Sequence, residues 1–167
     1  FGADPPYGPL ENRDDVLVFR TDPLENAVEI AGPIRVRIYA ETDAPDTDFT
    51  AKLIQEHPPN EEFQNGFAVN LSDSICRARY RGYRDEPDFV NPGEVYEFYM
   101  EPYPTANVFQ AGTRIRLDIS SSNYPRYDVN HNTGGPLYGD REYRIATNTV
   151  HHSSEYPTHI ELPVQPR

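Results

Sequence analysis

Three consecutive serines at residues 120–122 are the first candidates for chemistry, because a serine hydroxyl after a strand can act as a nucleophile. Such a serine needs a base and an orienting acid, and in α/β hydrolases it sits in a Gly-x-Ser-x-Gly turn that opens a helix. Here Asn123, Tyr124 and Pro125 follow the serines and interrupt the chain. We therefore expect these hydroxyls to cap strand ends through local backbone hydrogen bonds, and we assign no catalytic residue.

A second candidate is a short segment with three carboxylates within six residues, Asp43, Asp46 and Asp48. Oxygen-rich turns can bind Ca²⁺, although this spacing is not that of an EF-hand loop. Aspartate side chains also stabilise turns by accepting hydrogen bonds from the local backbone. We predict a structural turn here, with a calcium site as the alternative.

The chain has five histidines, and they do not suggest a metal site. Neighbouring residues such as His151 and His152 point to opposite faces of a strand, whereas zinc needs three or four converging ligands. We therefore predict neither a metal nor a cofactor. The single cysteine, Cys76, cannot form an internal disulfide and is expected in the core. It favours a cytosolic location without excluding export.

Composition limits the classes of partner. The chain of 167 residues carries 27 acidic and 15 basic residues, which gives a net charge of −12. Nucleic-acid binding requires a concentrated basic surface, so this balance argues against it. No apolar run approaches the ~20 residues of a membrane-spanning helix. We expect neither nucleic acid nor membrane as a partner, and a homo-oligomer stays open.

Short alternating segments separated by Gly and Pro predict an all-β fold. The chain has 17 prolines, which leaves little room for long helices. In residues 34–40, Ile34, Val36 and Ile38 alternate with polar positions, as in a half-buried strand. Residues 114–119 alternate in the same way, with Arg114, Arg116 and Asp118 expected to point outward. Further strands are predicted at residues 16–19, 28–31, 49–56, 67–71, 75–80, 95–100, 143–150 and 158–164. This pattern is typical of an antiparallel sandwich or jelly roll.

An ordered set of motifs makes the chain resemble the C-terminal, non-catalytic domain of X-Pro dipeptidyl-peptidases and of the related cocaine esterase and acylase-type serine hydrolases. The motifs run in order over most of the chain. They are residues 15–19 (DVLVF), 32–33 (GP), 42–53 (TDAPDTDFTAKL), 75–80 (ICRARY), 104–109 (PTANVF) with Gly112, 114–128 (RIRLDISSSNYPRYD), 148–152 (NTVHH) and 160–163 (IELP).

The resemblance implies a galactose-binding-like jelly roll over residues 14–167, with residues 1–13 as a linker from a missing α/β-hydrolase domain of the same polypeptide. The implied function is accessory: the domain would shape or stabilise the active site or the assembly of a serine peptidase, esterase or acylase. By itself it is expected to be inactive. A carbohydrate-binding module is the alternative, because tyrosines can stack on sugars, and a general protein-interaction domain also stays open.

The loop after the predicted strand at residues 114–119 is the expected contact surface for that hydrolase domain. Loops of about 20 residues, such as residues 120–140, are uncommon in compact domains and are often functional. We expect the interface or pocket wall to be formed by Tyr39, Phe49, Ser121, Ser122, Asn123, Tyr124, Pro125, Arg126, Tyr127 and Asp128.

Overall fold

The computed structural model describes residues 12–82, 85–138 and 141–166, so most of the linker expected over residues 1–13 lies outside the described residues. Within the described residues the backbone forms ten strands and a short 3-10 turn at Ala78–Tyr80. The strands are β1 Val16–Arg20, β2 Val28–Gly32, β3 Arg35–Thr42, β4 Asp48–His57, β5 Phe67–Arg77, β6 Tyr96–Met100, β7 Thr105–Phe109, β8 Arg114–Ser120, β9 Asn148–His151 and β10 His159–Glu161. No described helix is long and apolar enough to cross a membrane.

The strands pair antiparallel in two main sheets. One four-stranded sheet has the order β1-β8-β4-β5, and the second has the order β10-β3-β6, with β9 also paired to β3. A two-stranded sheet of β2 and β7 completes the described architecture. The predicted all-β antiparallel sandwich is confirmed.

The core lies between the sheets, and the alternation of β3 explains how it forms. Val36 and Ile38 of β3, together with Ile34 just before it, are fully buried, as predicted. Across the core, the ring of Phe49 on β4 packs against Phe98 on β6, with their centroids 4.6 Å apart. Cys76 is also buried in this cluster, as expected for a small apolar residue.

On the outer face of the four-stranded sheet, several charged side chains point outward as predicted but are nevertheless buried. Arg116 and Asp118 do point away from the core, but they are only 1% and 2% exposed. Lys52 lies beside Asp118 and Asp73 on the neighbouring strands and is 7% exposed. Burial lowers the pKa of this lysine, the only one in the chain, while the two carboxylates act in the opposite direction. Charged neighbours cover one another on this face, so an outward direction does not mean contact with water.

Several predicted segments have different bounds in the structure, and the segment at 158–164 is a strand only over His159–Glu161. The strands expected at residues 67–71 and 75–80 form the single strand β5, which is interrupted only by a register shift opposite Leu53 and Ile54. The last residues of that segment form the 3-10 turn, and the segment at 143–150 is a strand only from Asn148. β7 was not predicted as a strand, because its own sequence is only a weak strand signal. Its extended conformation is stabilised by pairing with β2.

Candidate functional site

Several loops meet at the end of the sandwich where the described chain begins, which we call the entry end. Val16, the first residue of β1, pairs with Ser120, the last residue of β8, and Ser120 also pairs with Thr50 of β4. The 27 residues between β8 and β9 leave the sheet at this point. The entry end therefore brings the N-terminal connection and the longest loop together.

The segment of residues 121–128, the docking loop, is held against the outer face of the four-stranded sheet. The side-chain amide of Asn123 donates a 3.0 Å hydrogen bond to Asp73, and the Arg126 guanidinium lies 3.1 Å from the same carboxylate. The backbone N–H groups of Arg126 and Tyr127 donate to the carbonyl oxygen of Asn123. Asp73 of β5 is thus the anchor that fixes the shape of this loop.

Two tyrosines beside this anchor project into solvent. Tyr124 is 73% exposed and Tyr103, which precedes β7, is 66% exposed. The guanidinium of Arg126 lies 5.7 Å from the ring centre of Tyr103 and 5.8 Å from that of Tyr127. Cation–π contacts of this kind orient the rings. The result is an exposed aromatic and cationic surface with a defined shape.

The hydroxyls of the three consecutive serines are used for structure. The Ser120 hydroxyl bonds to that of Thr50 at 2.7 Å and donates to the Ser122 carbonyl. The Ser121 hydroxyl accepts a 2.8 Å hydrogen bond from Asn148, and the Ser122 hydroxyl accepts one from the backbone N–H of Tyr124. Within the described part of the chain, none of these serines makes a hydrogen bond to an imidazole. Their geometry is that of capping groups.

The acidic segment at residues 43–48 binds arginines. Asp48 accepts two hydrogen bonds from Arg77, at 2.9 and 3.0 Å. Asp46 accepts one from the Arg79 guanidinium at 2.7 Å and one from the Arg79 backbone N–H at 2.9 Å. The side-chain amide of Asn130 donates to both carboxylates. Burial is the largest influence on Asp48 and raises its pKa, although the hydrogen bonds from Arg77 and Asn130 act in the opposite direction.

This buried network also ties down the long loop, and the sequence analysis missed that role. Arg79 donates a 2.9 Å hydrogen bond to the carbonyl of Gly135, and Asn130 belongs to the loop itself. Arg144 donates to the carbonyl of Asp43 at 3.1 Å. Asp46 and Asp48 stand two residues apart, as do Arg77 and Arg79, and this matching spacing was the available signal. Among the described residues no group of three or more His, Cys, Asp or Glu side chains is arranged to hold a metal ion.

Two of the residues expected at the interface lie elsewhere. Phe49 is 1% exposed and packs against Phe98 in the core, so its burial does not favour direct contact with a partner, and its place in an interface or pocket wall stays a prediction. Its position beside the acidic turn was correct, but strand alternation turns its ring inward. Tyr39 lies on the outer face of the opposite sheet, where its hydroxyl donates to Glu97 and its ring is 6.0 Å from that of Tyr156. The structure brings together the remaining expected residues, 121–128, in the docking loop.

Comparison with known proteins assigns the chain to a family. The model of the X-Pro dipeptidyl-peptidase C-terminal non-catalytic domain matches residues 3–161. The chain belongs to this family. It is 41% identical over 158 residues to the cocaine esterase of Rhodococcus sp. (strain MB1 Bresler), a match that covers 93% of this chain and 26% of that protein.

Solved structures give the same fold. An α-amino acid ester hydrolase superposes with a TM-score of 0.88 at 32% identity, over 93% of this chain and 26% of that one. An aminopeptidase from a marine sediment archaeon, Thaumarchaeota archaeon, superposes with a TM-score of 0.86 at 33% identity, over 92% and 26%. The chain thus spans about a quarter of the length of these relatives, and it is a non-catalytic accessory domain, as the motif order predicted.

Proposed function

We propose that this domain serves a serine hydrolase of the X-Pro dipeptidyl-peptidase, esterase and acylase group by shaping or stabilising its active site or assembly. Its direct partner is an α/β-hydrolase catalytic domain of the same polypeptide. The observation that carries the proposal is the match to a C-terminal non-catalytic domain in relatives of which this chain covers only 26%.

The docking loop and Tyr103 form the surface that contacts the catalytic domain. A catalytic domain that precedes this one would connect near Arg13, because β1 begins at Val16. That connection and the docking loop both lie at the entry end, since Val16 pairs with Ser120 immediately before the loop. A partner joined there reaches the loop without a long linker.

The chemistry of this surface suits a protein interface. Tyrosine and arginine are enriched at the centres of interfaces, where they combine apolar area with hydrogen-bonding groups. Because Asp73 and the Asn123 carbonyl already hold the loop, docking would cost little additional ordering of the chain. A fixed aromatic wall beside an active site can also exclude water and define the shape of a substrate pocket.

The arrangement of these tyrosines supports sugar binding less well than a protein interface. Sugars stack on open faces of aromatic rings, whereas the Arg126 guanidinium lies over the rings of both Tyr103 and Tyr127. Tyr124 alone offers a small platform. A carbohydrate-binding module would give saturable heat in a calorimetric titration with oligosaccharides, and we expect none.

The first experiment uses the chain alone. The purified domain is incubated with an activated ester and with an X-Pro chromogenic substrate, and we expect no turnover above background. Among the described residues these serine hydroxyls bond to Thr50, Asn148 and backbone groups and not to an imidazole, so none is arranged as an activated nucleophile. Turnover that disappears when Ser120, Ser121 or Ser122 is replaced by Ala would overturn the non-catalytic assignment.

The second experiment tests the docking surface in the full-length protein. Tyr124→Ala and Arg126→Ala are each expected to lower kcat/KM about tenfold or more, which corresponds to ~1.4 kcal/mol. Tyr39→Ala is the matched control, because it removes a tyrosine from the opposite sheet. Equal kinetics and equal thermal inactivation for all three variants and the wild type would contradict this surface.

A further inference from the structure

A large cavity lies at the far end of the same four-stranded sheet, opposite the entry end. It has a volume of about 660 Å³ and is lined by residues from all four strands and from loops next to them. Cross-strand register explains its chemistry: Arg20 of β1 stands opposite Arg116 of β8, and Glu56 of β4 stands opposite Arg114. In a chain with a net charge of −12, three arginines therefore line one cavity.

Two of these arginines have partly exposed side chains in the lining, and Arg114 also lies 3.9 Å from the carboxylate of Asp22. The Arg20 side chain is 40% exposed and approaches Glu56 at 3.5 Å, and the Arg114 side chain is 33% exposed and donates to the carbonyl of Thr21. Arg116 is turned toward Asp118 by two hydrogen bonds and lies 3.5 Å from Glu56. Guanidinium forks of this kind bind carboxylates and phosphates in two-point contacts.

Ring and proline surfaces make up part of the remaining lining. The ring of His57 stacks on Phe67 with centroids 4.2 Å apart and an angle of 6° between the planes. Pro23, Pro58 and Pro59 line the same cavity. A volume within the ~300–1,000 Å³ of ligand pockets is far larger than a free phosphate or acetate requires. The occupant that fits has an anionic head and an apolar body.

We propose that this cavity, the arginine pocket, binds small organic anions, with Arg20 and Arg114 holding a carboxylate or phosphate group and the His57–Phe67 stack contacting an apolar body. Glu56 competes with the ligand for Arg20. Its Oε2 atom is buried without a hydrogen-bond partner, which leaves it as a charge between two guanidiniums. This site is independent of the proposed docking surface, because it lies at the other end of the sheet.

The test is a calorimetric or NMR titration of the purified chain at constant ionic strength with 3-phenylpropionate, phenyl phosphate, acetate and chloride. We expect saturable binding of the first two, at least tenfold weaker binding of acetate, and none of chloride. The two aromatic probes separate carboxylate from phosphate preference. Arg20→Gln and Arg114→Gln should each weaken binding at least tenfold, and Glu56→Gln should tighten it.

Arg35→Gln is the matched control, because Arg35 lies 3.7 Å from Glu161 on the opposite sheet in an ion pair like that of Arg20. It should bind as the wild type does. Arg20→Lys keeps the charge but loses the fork, and it should bind more weakly than the wild type. Non-saturable binding, or equal affinities for the Arg20, Arg114, Glu56 and Arg35 variants, would overturn the proposal. Thermal unfolding of each variant confirms that it is folded.

Discussion

Arg116 and Asp118, two residues apart on β8, form a doubly hydrogen-bonded ion pair that is almost completely buried although it lies outside the hydrophobic core. The guanidinium donates to both carboxylate oxygens, at 2.7 and 2.8 Å. Residues two apart on a strand point to the same face, so the strand itself places the two groups side by side. Each charge depends on the other, because burial has removed most of its water.

Replacement of one partner should therefore be much more damaging than replacement of both. We expect Arg116→Met to lower the free energy of unfolding by about 3–5 kcal/mol, because it leaves Asp118 buried without its main partner. The double variant with Asp118→Leu should recover most of that loss. Urea unfolding measures both. Arg13→Gln, which breaks an exposed pair with Asp15, serves as the control and should cost less than about 1 kcal/mol. Equal losses for the single and double variants would contradict the pairing.

The aromatic residues at the entry end should separate into core and surface positions. Phe49→Ala should destabilise the chain by about 3–5 kcal/mol, since it opens a cavity against Phe98. Tyr124→Ala should change stability by less than about 0.5 kcal/mol, because its ring is exposed. Thermal and urea unfolding of the isolated domain provide the comparison. Similar losses for the two variants would place Tyr124 in the core or Phe49 at the surface.

Alkaline pH should destabilise the domain through its single cysteine. Burial raises the pKa of Cys76 to about 12 from an ordinary value of 9.0. Between these values the unfolded chain releases the thiol proton and the folded chain keeps it, so stability falls as pH rises. The maximal slope is about 1.4 kcal/mol per pH unit. Urea unfolding from pH 8 to 10.5 should show this extra slope in the wild type relative to Cys76→Ala. Parallel curves would rule out the buried thiol as its source.

Moderate salt should stabilise the isolated domain. The chain carries 12 more acidic than basic charges, and repulsion among them opposes the compact state. Raising NaCl from 0.02 to 0.3 M shortens the screening length to below ~10 Å, so we expect a rise in Tm of roughly 3 °C or more. Equimolar increments of sucrose, which does not screen charge, control for solute effects. A constant or falling Tm in NaCl would mean that attractive ion pairs outweigh the excess negative charge.

Sequence reasoning succeeded where one face of a strand meets the core. Apolar residues such as Val36 and Ile38 alternate with polar ones along β3. This alternation decides which face of the strand is buried, so the sequence predicts the orientation of the strand. The capping role of Ser120 and Ser122 could also be assigned, because short polar side chains near a strand end bond to their neighbours. The aspartates of the turn at residues 43–48 differ from the prediction, because, in the part of the chain that the structure describes, they bond to groups far along the chain, such as Arg79 and Thr147, and not to the local backbone.

The hydrophobic alternation of the strands could not predict which side chains cover the outer faces of the sheets. Arg116 and Asp118 alternate as a solvated pair would, and only the register with Lys52 and Arg20 shows that charges cover one another there. Asn130 and Arg79 are more than 50 residues apart along the chain, and each bonds to Asp46, which no local pattern records. The arginine pocket could not be predicted for the same reason, because its lining residues come from four strands that are distant along the chain.

The burial of Lys52 has a practical consequence for handling this domain. Activated esters, aldehydes and other amine-directed reagents attack uncharged ε-amino groups that they can reach. The only lysine ε-amino group of the chain, that of Lys52, lies between two aspartates on a buried part of the sheet face. Lysine-directed tagging, cross-linking or immobilisation of the native domain would therefore be inefficient, and exposed carboxylates and tyrosines such as Tyr124 are better targets.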